Sequence, residues 1–410
     1  MNNKYVVIIG ALDTKGEHLL FLRDRIKQNG LKAIVIDLSM GSEPLFQADI
    51  TSQDVAQAGG GSIEEIRASR DRAMITQIME KGAIEKIKQL HSAGKVNGII
   101  ALGGTSIALM GSYIMKVLPF GIPKIIVCSA AMPAYVARWF DTLDVAVMQC
   151  IVEFAGLNQL VERALVIAAG AISGMVKEIP AGTDLHLTRG SIAITQLGFS
   201  ENCALYVRKY LEKRGYAVYP FHAQGTSDRA MEELITQGHF DGVIDIVPAG
   251  VIEEIFEGNR AAGPKRLEAA GERGIPQVIA PCEINLTGCG PTRKNNDKYI
   301  SRERVLKIDE LRAGTRYNVE ELKIGAGAYA EKLNRARGPV SILIPLRGWS
   351  SLDREGSILY DPKEDKIFVE ELRGKLRPDI EIEEIDCNLE DPEFALALVE
   401  KLDNMLQERG

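Results

Sequence analysis

The residues best suited to chemistry lie directly after short apolar runs, where glycines and polar side chains begin. The first such turn is "GALDTKGEH", in which Gly10 permits a sharp bend and Asp13 or Thr14 can cap the helix that follows. Lys15 comes next, where its ammonium can reach a phosphate group held at the N-terminus of that helix. The alternative is an ordinary helix start with an exposed lysine. The turn has neither the GxGxxG spacing nor a Walker motif, so by itself it does not decide between the two.

Two further turns in the same half repeat this arrangement. Asp37 closes the run "KAIVID", the usual place for a carboxylate that accepts the ribose hydroxyls of a nucleotide, although a helix cap explains it equally well. Gly103, Gly104 and Thr105, in "LGGTS", offer backbone N–H groups and a hydroxyl to an anion. The three turns together predict a nucleotide-sized binding site.

In the C-terminal half, three candidates for acid–base chemistry end or follow apolar runs. His222, in "YPFHAQG", is the histidine best placed for proton transfer. Asp245 lies within "VIDIV", where a buried carboxylate needs a partner. Glu283 follows Cys282, for which a buried thiol is the simpler interpretation because no neighbouring base is evident. We predict that His222, Asp245 and Glu283 are catalytic and line a cleft between two domains.

Alternating strands and helices must position these residues. "YVVIIG", a helix closed by Gly30, and "KAIVID" form a βαβ unit, whose crossover makes the two strands parallel. The alternation restarts at "SIAITQLG", after a stretch rich in proline and glycine. We therefore predict an α/β protein of two consecutive Rossmann-like three-layer α/β/α domains with mainly parallel sheets, residues 1–183 and 184–410. Residues 288–316 are polar and basic, and predict a long connection or a lid.

Composition excludes several classes of function. The chain has 410 residues, 46% of them hydrophobic and 26% charged, as in an ordinary globular protein of more than one domain. Its net charge of −7 argues against a nucleic-acid-binding protein. It has no signal-peptide pattern and no apolar run of the ~18 residues that span a membrane, so we expect a cytoplasmic protein without a membrane partner. The six cysteines include no CxxC pair, so we expect neither disulfides nor a metal site.

Five longer stretches resemble one known family. They are "GALDTK", "LPFGIPKIIV", "GLNQLVERALVIAAGAISGMV", "FHAQGTSDRAMEELI" and "LIPLRGWSSLD…YDP". They run in the order found in the two-domain family of the tomato mosaic virus resistance protein and its uncharacterised bacterial relatives. The resemblance implies two Rossmann-like domains, a homodimer, and ATP, with or without Mg²⁺, bound by the N-terminal domain through the loop at Asp13, Thr14 and Lys15.

Two functional hypotheses follow from these observations. The first is a nucleotide-binding protein that acts on a small phosphorylated or carboxylated metabolite, and the sequence does not decide whether it is an enzyme. The alternative is a non-catalytic binding module, or a partner subunit with an altered nucleotide site. It is favoured by Ser106, Ile107 and Ala108, which stand where the family usually has Gly, Gly and Thr, and by Met132 and Pro133 in a further turn. A bulky side chain and a missing N–H both reduce the capacity of a loop to bind phosphate.

Overall fold

The structure is a computed structural model that describes residues 4–131, 136, 139–180, 187–188 and 190–408. Contacts divide the chain into two units, Met1–His186 and Leu187–Gly410. The predicted boundary between residues 183 and 184 lies outside the described residues. Each unit contains a parallel sheet with helices against it, so the predicted α/β fold class is confirmed.

The N-terminal unit is built on a parallel sheet, sheet A, with the strand order β2-β1-β3-β4-β5. Its strands are β1 Tyr5–Gly10, β2 Lys32–Asp37, β3 Gly98–Gly103, β4 Lys124–Cys128 and β5 Ala146–Gln149. The helices described here are α1 Leu12–Gln28, α2 Ser52–Ala58, α3 Ile63–Ala68, α4 Arg72–Ser92, α5 Thr105–Met115 and α6 Gln159–Glu178.

Side chains of β1 alternate between two apolar cores, one on each face of sheet A. Val6 and Ile8 belong to the core that includes residues of α1 and α6, whereas Val7 and Ile9 belong to the core that includes residues of α4 and α5. The helix after β1 and the helix after β3 therefore cover opposite faces. In a doubly wound sheet, this change of face between neighbouring strands opens a crevice at their carboxyl ends, where ligands bind.

Helix α6 is long and apolar enough to cross a membrane by length and composition, with a mean hydropathy of 1.4. Val161, Leu165 and Ile172 on one side of it are fully buried in the core of the N-terminal unit. Its other side carries a surface that we call the α6 apolar face, which comprises the exposed residues Leu160, Ile167, Gly170, Ala171, Gly174 and Met175. The exposed fractions of Leu160 and Ile167 are 65% and 54%.

The C-terminal unit contains a six-stranded parallel sheet, sheet B, and a three-stranded antiparallel sheet, sheet C, with orders β14-β13-β9-β8-β6-β7 and β10-β12-β11. Its strands are β6 Ser191–Gln196, β7 Ala217–His222, β8 Gly242–Asp245, β9 Gln277–Ile279, β10 Leu286–Cys289, β11 Val305–Lys307, β12 Ala313–Arg316, β13 Val340–Pro345 and β14 Glu381–Ile385. Its α-helices are α7 Glu201–Lys213, α8 Thr226–Thr236, α9 Gly250–Ile255, α10 Ala269–Arg273, α11 Asn296–Ile300, α12 Val319–Asn334, α13 Pro362–Lys375 and α14 Pro392–Gln407.

Helices cover both faces of sheet B. Residues of α7 and α14 share one apolar core with β6 and β8, while residues of α9, α12 and α13 share another with β9 and β13. Residues 288–316 contain β11, β12, α11 and the end of β10, joined by loops, so part of the predicted long connection or lid is regular structure. The polar composition of this segment reflects short strands whose side chains form ion pairs, such as Arg316 with Asp365.

Candidate functional site

The carboxyl edge of sheet A collects the predicted phosphate-binding turns. Strand register pairs Gly10 with Asp37 and Gly103 with Cys128, so the loops after β1, β2, β3 and β4 leave the same edge. Helix α1 begins at Leu12, which precedes Asp13 and Thr14, so neither residue caps it. The cap comes instead from Asp37, whose Oδ1 accepts a hydrogen bond of 3.0 Å from the backbone N–H of Leu12.

Asp37 and Asp13 each have one carboxylate oxygen with no hydrogen-bond donor among the described residues. Asp37 is 1% exposed, and its Oδ1 also accepts hydrogen bonds from the N–H and hydroxyl of Ser39, while its Oδ2 has no donor. Asp13 Oδ2 accepts from the N–H of Gly41 at 3.1 Å, while its buried Oδ1 has no donor. One oxygen of Asp37 therefore caps α1, while the other is buried and has no donor among the described residues.

The side chain of Lys15 contacts the loop that follows β5. Its Nζ donates a hydrogen bond of 2.7 Å to the carbonyl of Phe154 and lies 3.7 Å from the carboxylate of Glu153. Thr14 is exposed. Because an ammonium group has three N–H donors, the Phe154 contact leaves donors for an anion at this edge.

The turn after β3 leaves a helix N-terminus uncapped. A side chain at Gly103 would place its Cβ 2.6 Å from Ile107, whereas a Cβ at Gly104 would meet no atom of the described part of the chain within 4 Å. Gly104 is the N-cap of α5, and no side chain there accepts from the backbone N–H groups of the first turn. Thr105 Oγ1 lies 3.4 Å from the carbonyl of Ala130. Among the described residues, the N-cap of α5 makes no side-chain cap hydrogen bond, and the Cβ position of Gly104 is open.

The residues that differ from the usual family loop leave this space open. Ile107 is 7% exposed and packs in the core against Gly103, so its side chain does not occupy the space beside Gly104. Ser106 is exposed and Ala108 is buried. Met132 and Pro133 lie outside the described residues.

The three candidates for acid–base chemistry in the C-terminal unit are not brought together. His222 is exposed at the end of the edge strand β7. Asp245 is 1% exposed and forms an ion pair with Arg266, whose Nη1 lies 2.6 Å from Asp245 Oδ2. Among these three residues, Glu283 alone lines a cavity of about 300 Å³ in the described part of the unit.

Asp245 belongs to a buried cluster that we call the Arg266 cluster, in which one guanidinium contacts three carboxylates. Arg266 donates to Asp245, to Glu232 at 3.0 Å and to Asp228 at 3.3 Å. Burial raises the pKa of both Asp228 and Glu232, while the charge of Arg266 opposes that rise. A fully paired, solvent-excluded carboxylate suits a structural role, so the geometry supports Asp245 as a fold-stabilising residue.

Glu283 sits in a different environment, beside Arg260. Its Oε2 accepts a hydrogen bond of 2.8 Å from Arg260 Nη1, and Arg260 Nη2 donates to Glu253 at 3.2 Å. Burial raises the pKa of Glu283, whereas Arg260 and the hydroxyl of Thr287 hold the pKa of Glu253 below its usual value despite its burial. The pKa values of two carboxylates that share one guanidinium therefore shift in opposite directions. No sequence pattern points to Arg260 or Glu253, which come from the loop and helix after β8.

Comparison with known proteins identifies the family. The N-terminal domain of "Uncharacterised protein family (UPF0261)" matches residues 4–181, and the C-terminal domain of the same family matches residues 189–406. The chain belongs to the UPF0261 family. A UPF0261 protein of Clostridium tetani is 35% identical over 99% of this chain and 100% of its own length.

The family includes the plant protein that the sequence resembles. The ToMV resistance protein of Solanum lycopersicum is 28% identical over 97% of this chain, which spans 55% of the tomato protein. Among solved structures, UDP-GlcNAc 2-epimerase from Methanocaldococcus jannaschii is 12% identical over 97% of this chain and 92% of its own, with a TM-score of 0.23. That score supports no conclusion about fold or function. The two domain matches confirm the resemblance to the family of the tomato protein and its bacterial relatives.

Proposed function

We propose that this UPF0261 protein binds a nucleotide, with ATP as the ligand, at the carboxyl edge of sheet A. The observation that carries the proposal is the uncapped N-terminus of α5 beside Gly104, where no atom of the described residues lies within 4 Å of a Cβ position. Unsatisfied N–H groups and the helix dipole favour phosphate at such a position. The change of face between β1 and β3 puts this turn at the switch point of the sheet.

The surrounding residues fit the remaining parts of the ligand. Backbone N–H groups from Gly103, Gly104 and Thr105 would hold phosphate oxygens, and Lys15 would add a positive charge. The carboxylates of Asp13 and Asp37 would accept ribose hydroxyls or hold Mg²⁺. Bound Mg²⁺ would neutralise phosphate charge. Gly10 keeps the β1 turn close to β3, since a Cβ there would lie 2.9 Å from the carbonyl of Leu102.

Titration calorimetry with ATP and MgCl₂, together with thermal unfolding, tests this proposal. We expect saturable heat and a rise in the unfolding temperature of the N-terminal unit, since a ligand stabilises the folded state that binds it. Gly104→Leu fills the open space and should weaken ATP binding at least about tenfold, since it blocks the phosphate position. Gly374→Leu, at an equally open exposed glycine of α13, is the matched control and should bind ATP normally.

Calorimetry also separates the two hypotheses. If the unaltered protein gives neither heat nor thermal protection with ATP, the nucleotide proposal fails and the non-catalytic module with an altered site is favoured. Action on a small phosphorylated or carboxylated metabolite is the second part of the proposal. Glu283 supports it by its position in a cavity and its raised pKa.

We further propose that the protein works in the cytoplasm as a homodimer formed through the α6 apolar face. Gly170 and Gly174, four residues apart on this face, have open space at their Cβ positions and allow two helices to approach closely. No charged residue occurs from residue 164 to residue 176. Light scattering should show a dimer for the unaltered chain and a monomer for Ile167→Glu. Ile358→Glu, at an equally exposed isoleucine elsewhere, should leave the mass of a dimer unchanged.

A further inference from the structure

A cavity of about 300 Å³ lies at the carboxyl edge of sheet B, within the C-terminal unit. Leu197 after β6, Gln224 after β7 and Glu283 after β9 line one part of it, and residues of β10 and β12 in sheet C line another. The walls are largely apolar, with contributions from Phe199 and Leu352. The volume is at the small end of the range for ligand-binding pockets, about 300–1,000 Å³.

The part of the lining that comes from sheet C contains two glycines, Gly288 of β10 and Gly314 of β12, which we call the glycine pair. The two residues lie directly opposite each other in the antiparallel register. Their Cβ positions therefore point to the same face of the sheet. At this point the cavity borders bare main chain, where strands usually carry side chains.

Neither the backbone conformation nor the packing requires glycine in this pair. Neither residue has a positive φ. Among the described residues, the nearest atom to a Cβ at Gly314 lies 3.8 Å away, an ordinary contact. A Cβ at Gly288 would lie 3.2 Å from the amide of Asn259, an exposed side chain that can turn aside. Glycine inside a strand often marks a place where a ligand approaches the backbone closely, so the space beside the pair suits a flat group.

The buried polar side chains of the lining are paired inside the protein. They belong to a group that we call the Arg260 cluster, which consists of Arg260, Glu253, Glu283, Thr287 and Arg293. Arg260 donates to Glu283 at 2.8 Å and to Glu253 at 3.2 Å, and Glu283 also pairs with the hydroxyl of Ser350. Thr287 Oγ1 donates to Glu253 at 2.6 Å and accepts from Arg293. Two guanidinium groups balance two carboxylates, so we assign this cluster no contact with a ligand.

Four exposed residues supply the polar groups that a ligand can reach, namely Gln224, Asn259, Thr292 and Arg312. Each amide has more donors than acceptors and a guanidinium has donors alone, so the set is rich in donors. Arg312 Nε lies 2.6 Å from a carboxylate oxygen of Asp309, and the Nη groups of Arg312 carry further donors. A ligand group with several acceptors and no donor matches this set, and a carboxylate is such a group.

We propose that this cavity binds a small, flat monocarboxylate with an aromatic or conjugated body. The body lies against the glycine pair and contacts Leu197 and Phe199. The carboxylate accepts hydrogen bonds from Arg312 and from the amide of Asn259. This inference rests on the second part of the proposed function, because it names the class of carboxylated metabolite that the C-terminal unit takes.

Other ligand chemistries fit less well. A phosphate group brings a second negative charge, although only one accessible guanidinium lines the described cavity and the carboxylates of Glu283 and Asp309 lie nearby. An amide has no charge to pair with Arg312, and it brings donors to a set that is already rich in them. A saturated ring is thicker than an aromatic ring and makes poorer contact with the bare main chain.

Four probes test the proposal on the full chain, namely benzoate, phenyl phosphate, benzamide and cyclohexanecarboxylate. Titrations followed by ligand-observed NMR measure their dissociation constants. We expect saturable binding of benzoate, at least about tenfold tighter than that of phenyl phosphate or benzamide, because the charge-assisted contact suits a single carboxylate. Cyclohexanecarboxylate has the same charge and a thicker ring, so it should bind at least about fivefold more weakly than benzoate.

A substitution at Arg312 tests the position of the carboxylate. Arg312→Gln should weaken benzoate binding about tenfold and leave benzamide binding unchanged, because it removes the charge. Arg335→Gln is the matched control, since the side chains of Arg312 and Arg335 are both 64% exposed and each pairs with a carboxylate. Because Arg312 is exposed, this comparison does not depend on a substitution in the core.

A substitution in the glycine pair tests the position of the flat body. Gly314→Ala adds a methyl group that meets only ordinary contacts, and it should weaken benzoate binding about fivefold by occupying space that the ring needs. Gly327→Ala, at an open glycine position of α12, is the control and should bind benzoate like the unaltered chain.

The proposal is overturned if benzoate does not saturate the protein, or if any of the other three probes binds as tightly as benzoate. It is also overturned if Arg312→Gln binds benzoate as well as Arg335→Gln does, or if Gly314→Ala binds it as well as Gly327→Ala does. Its failure can be distinguished from failure of the nucleotide site. Heat with ATP but no benzoate binding would overturn this proposal alone, and benzoate binding without heat from ATP would overturn the nucleotide site alone.

Discussion

The candidate sites at the carboxyl edges of the two parallel sheets differ in the chemical groups that form them. At sheet A, the candidate site consists of backbone N–H groups at Gly104 and the start of α5, with half-exposed side chains around them. At sheet B, sheet C forms one wall of a cavity, and side chains such as Asn259 and Arg312 supply the polar groups that a ligand can reach. The same topology thus supports an open site made by the main chain or an enclosed site made by side chains.

The difference teaches what each site requires of its sequence. A main-chain site depends on space, so a glycine matters and most side chains nearby can vary. A side-chain site needs every buried charge to be paired, as in the Arg260 and Arg266 clusters, because an unpaired charge in an enclosed site is strongly destabilising. Substitutions near the sheet A site should therefore change ligand binding more than stability. Substitutions near the sheet B clusters should change stability more than ligand binding.

The largest expected effect is at the Arg266 cluster. Arg266→Ala leaves three buried carboxylates without their counter-ion, so the C-terminal unit should lose about 3–5 kcal/mol of unfolding free energy. The N-terminal unit should keep its own transition in chemical denaturation followed by circular dichroism. Arg208→Ala, at a half-exposed arginine, is the control and should change stability by less than about 0.5 kcal/mol. A loss shared equally by both transitions would refute a difference between the units.

At sheet A, we expect a smaller loss of stability, and its size should depend on which glycine is changed. Gly103→Ala places a Cβ 2.6 Å from Ile107 and should destabilise the N-terminal unit by about 1–3 kcal/mol through overpacking. Gly104→Ala meets no atom within 4 Å and should leave stability nearly unchanged. Thermal unfolding of the two variants measures the contrast. Equal losses would show that this turn is packed rather than open.

The unfolding free energy of the C-terminal unit should depend on pH because of the buried pair of Asp353 and Asp365. Asn285 Nδ2 donates to both at 2.8 Å, and Arg316 contacts both. Burial, together with the nearby charge of Asp353, raises the pKa of Asp365 to about 7. The folded state then holds a proton that the unfolded state releases above about pH 4, so stability should fall as the pH rises to 7, by up to ~1.4 kcal/mol per pH unit.

Chemical denaturation at several pH values between 4 and 7 measures this slope. Asp365→Asn has no proton to release, so its stability should not show the same fall. Asp379→Asn, at an exposed aspartate paired with Arg377, is the control and should keep the slope of the unaltered protein. Parallel profiles for the unaltered protein and Asp365→Asn would assign the slope to other groups.

The smallest effect concerns Lys15. Lys15→Ala removes one hydrogen bond to the Phe154 carbonyl and a weak pairing with exposed Glu153, so the N-terminal unit should lose about 1 kcal/mol. If Lys15 also contacts phosphate, ATP binding should weaken several-fold in the same variant and become less dependent on salt. Calorimetry at two salt concentrations separates these two roles. Unchanged affinity would limit Lys15 to its contact with the β5 loop.

Sequence patterns predict the central strands of both sheets and miss one edge strand of each sheet, β5 and β14. Strands β3 and β13 are fully buried, and Ser341 is the one polar residue in these two strands. Strand β14, "EIEEI", lies at the edge of sheet B with exposed glutamates, so no apolar run marks it. The helical stretch between residues 63 and 92 is divided into α3 and α4, because Asp71 caps a new helix at Arg72.

Prediction of the sites is limited because partners that are distant in sequence leave no local pattern. Strand-end positions are local features, so Gly104 and Glu283 can be named from the sequence. Arg260 and Arg266 lie 23 and 21 residues from Glu283 and Asp245, and no periodic pattern connects partners at such separations. Whether a buried carboxylate is structural or available depends on these partners, so the different environments of Asp245 and Glu283 become visible only in the fold.

The antiparallel pairing of sheet C has an evolutionary consequence. Leu286 at the start of β10 pairs with Arg316 at the end of β12, so this segment enters and leaves the domain at adjacent points. Such a segment can be lengthened, shortened or exchanged between relatives while the six parallel strands keep their order. Within the family, differences in length and sequence should therefore concentrate in residues 286–316, while the six parallel strands keep their order.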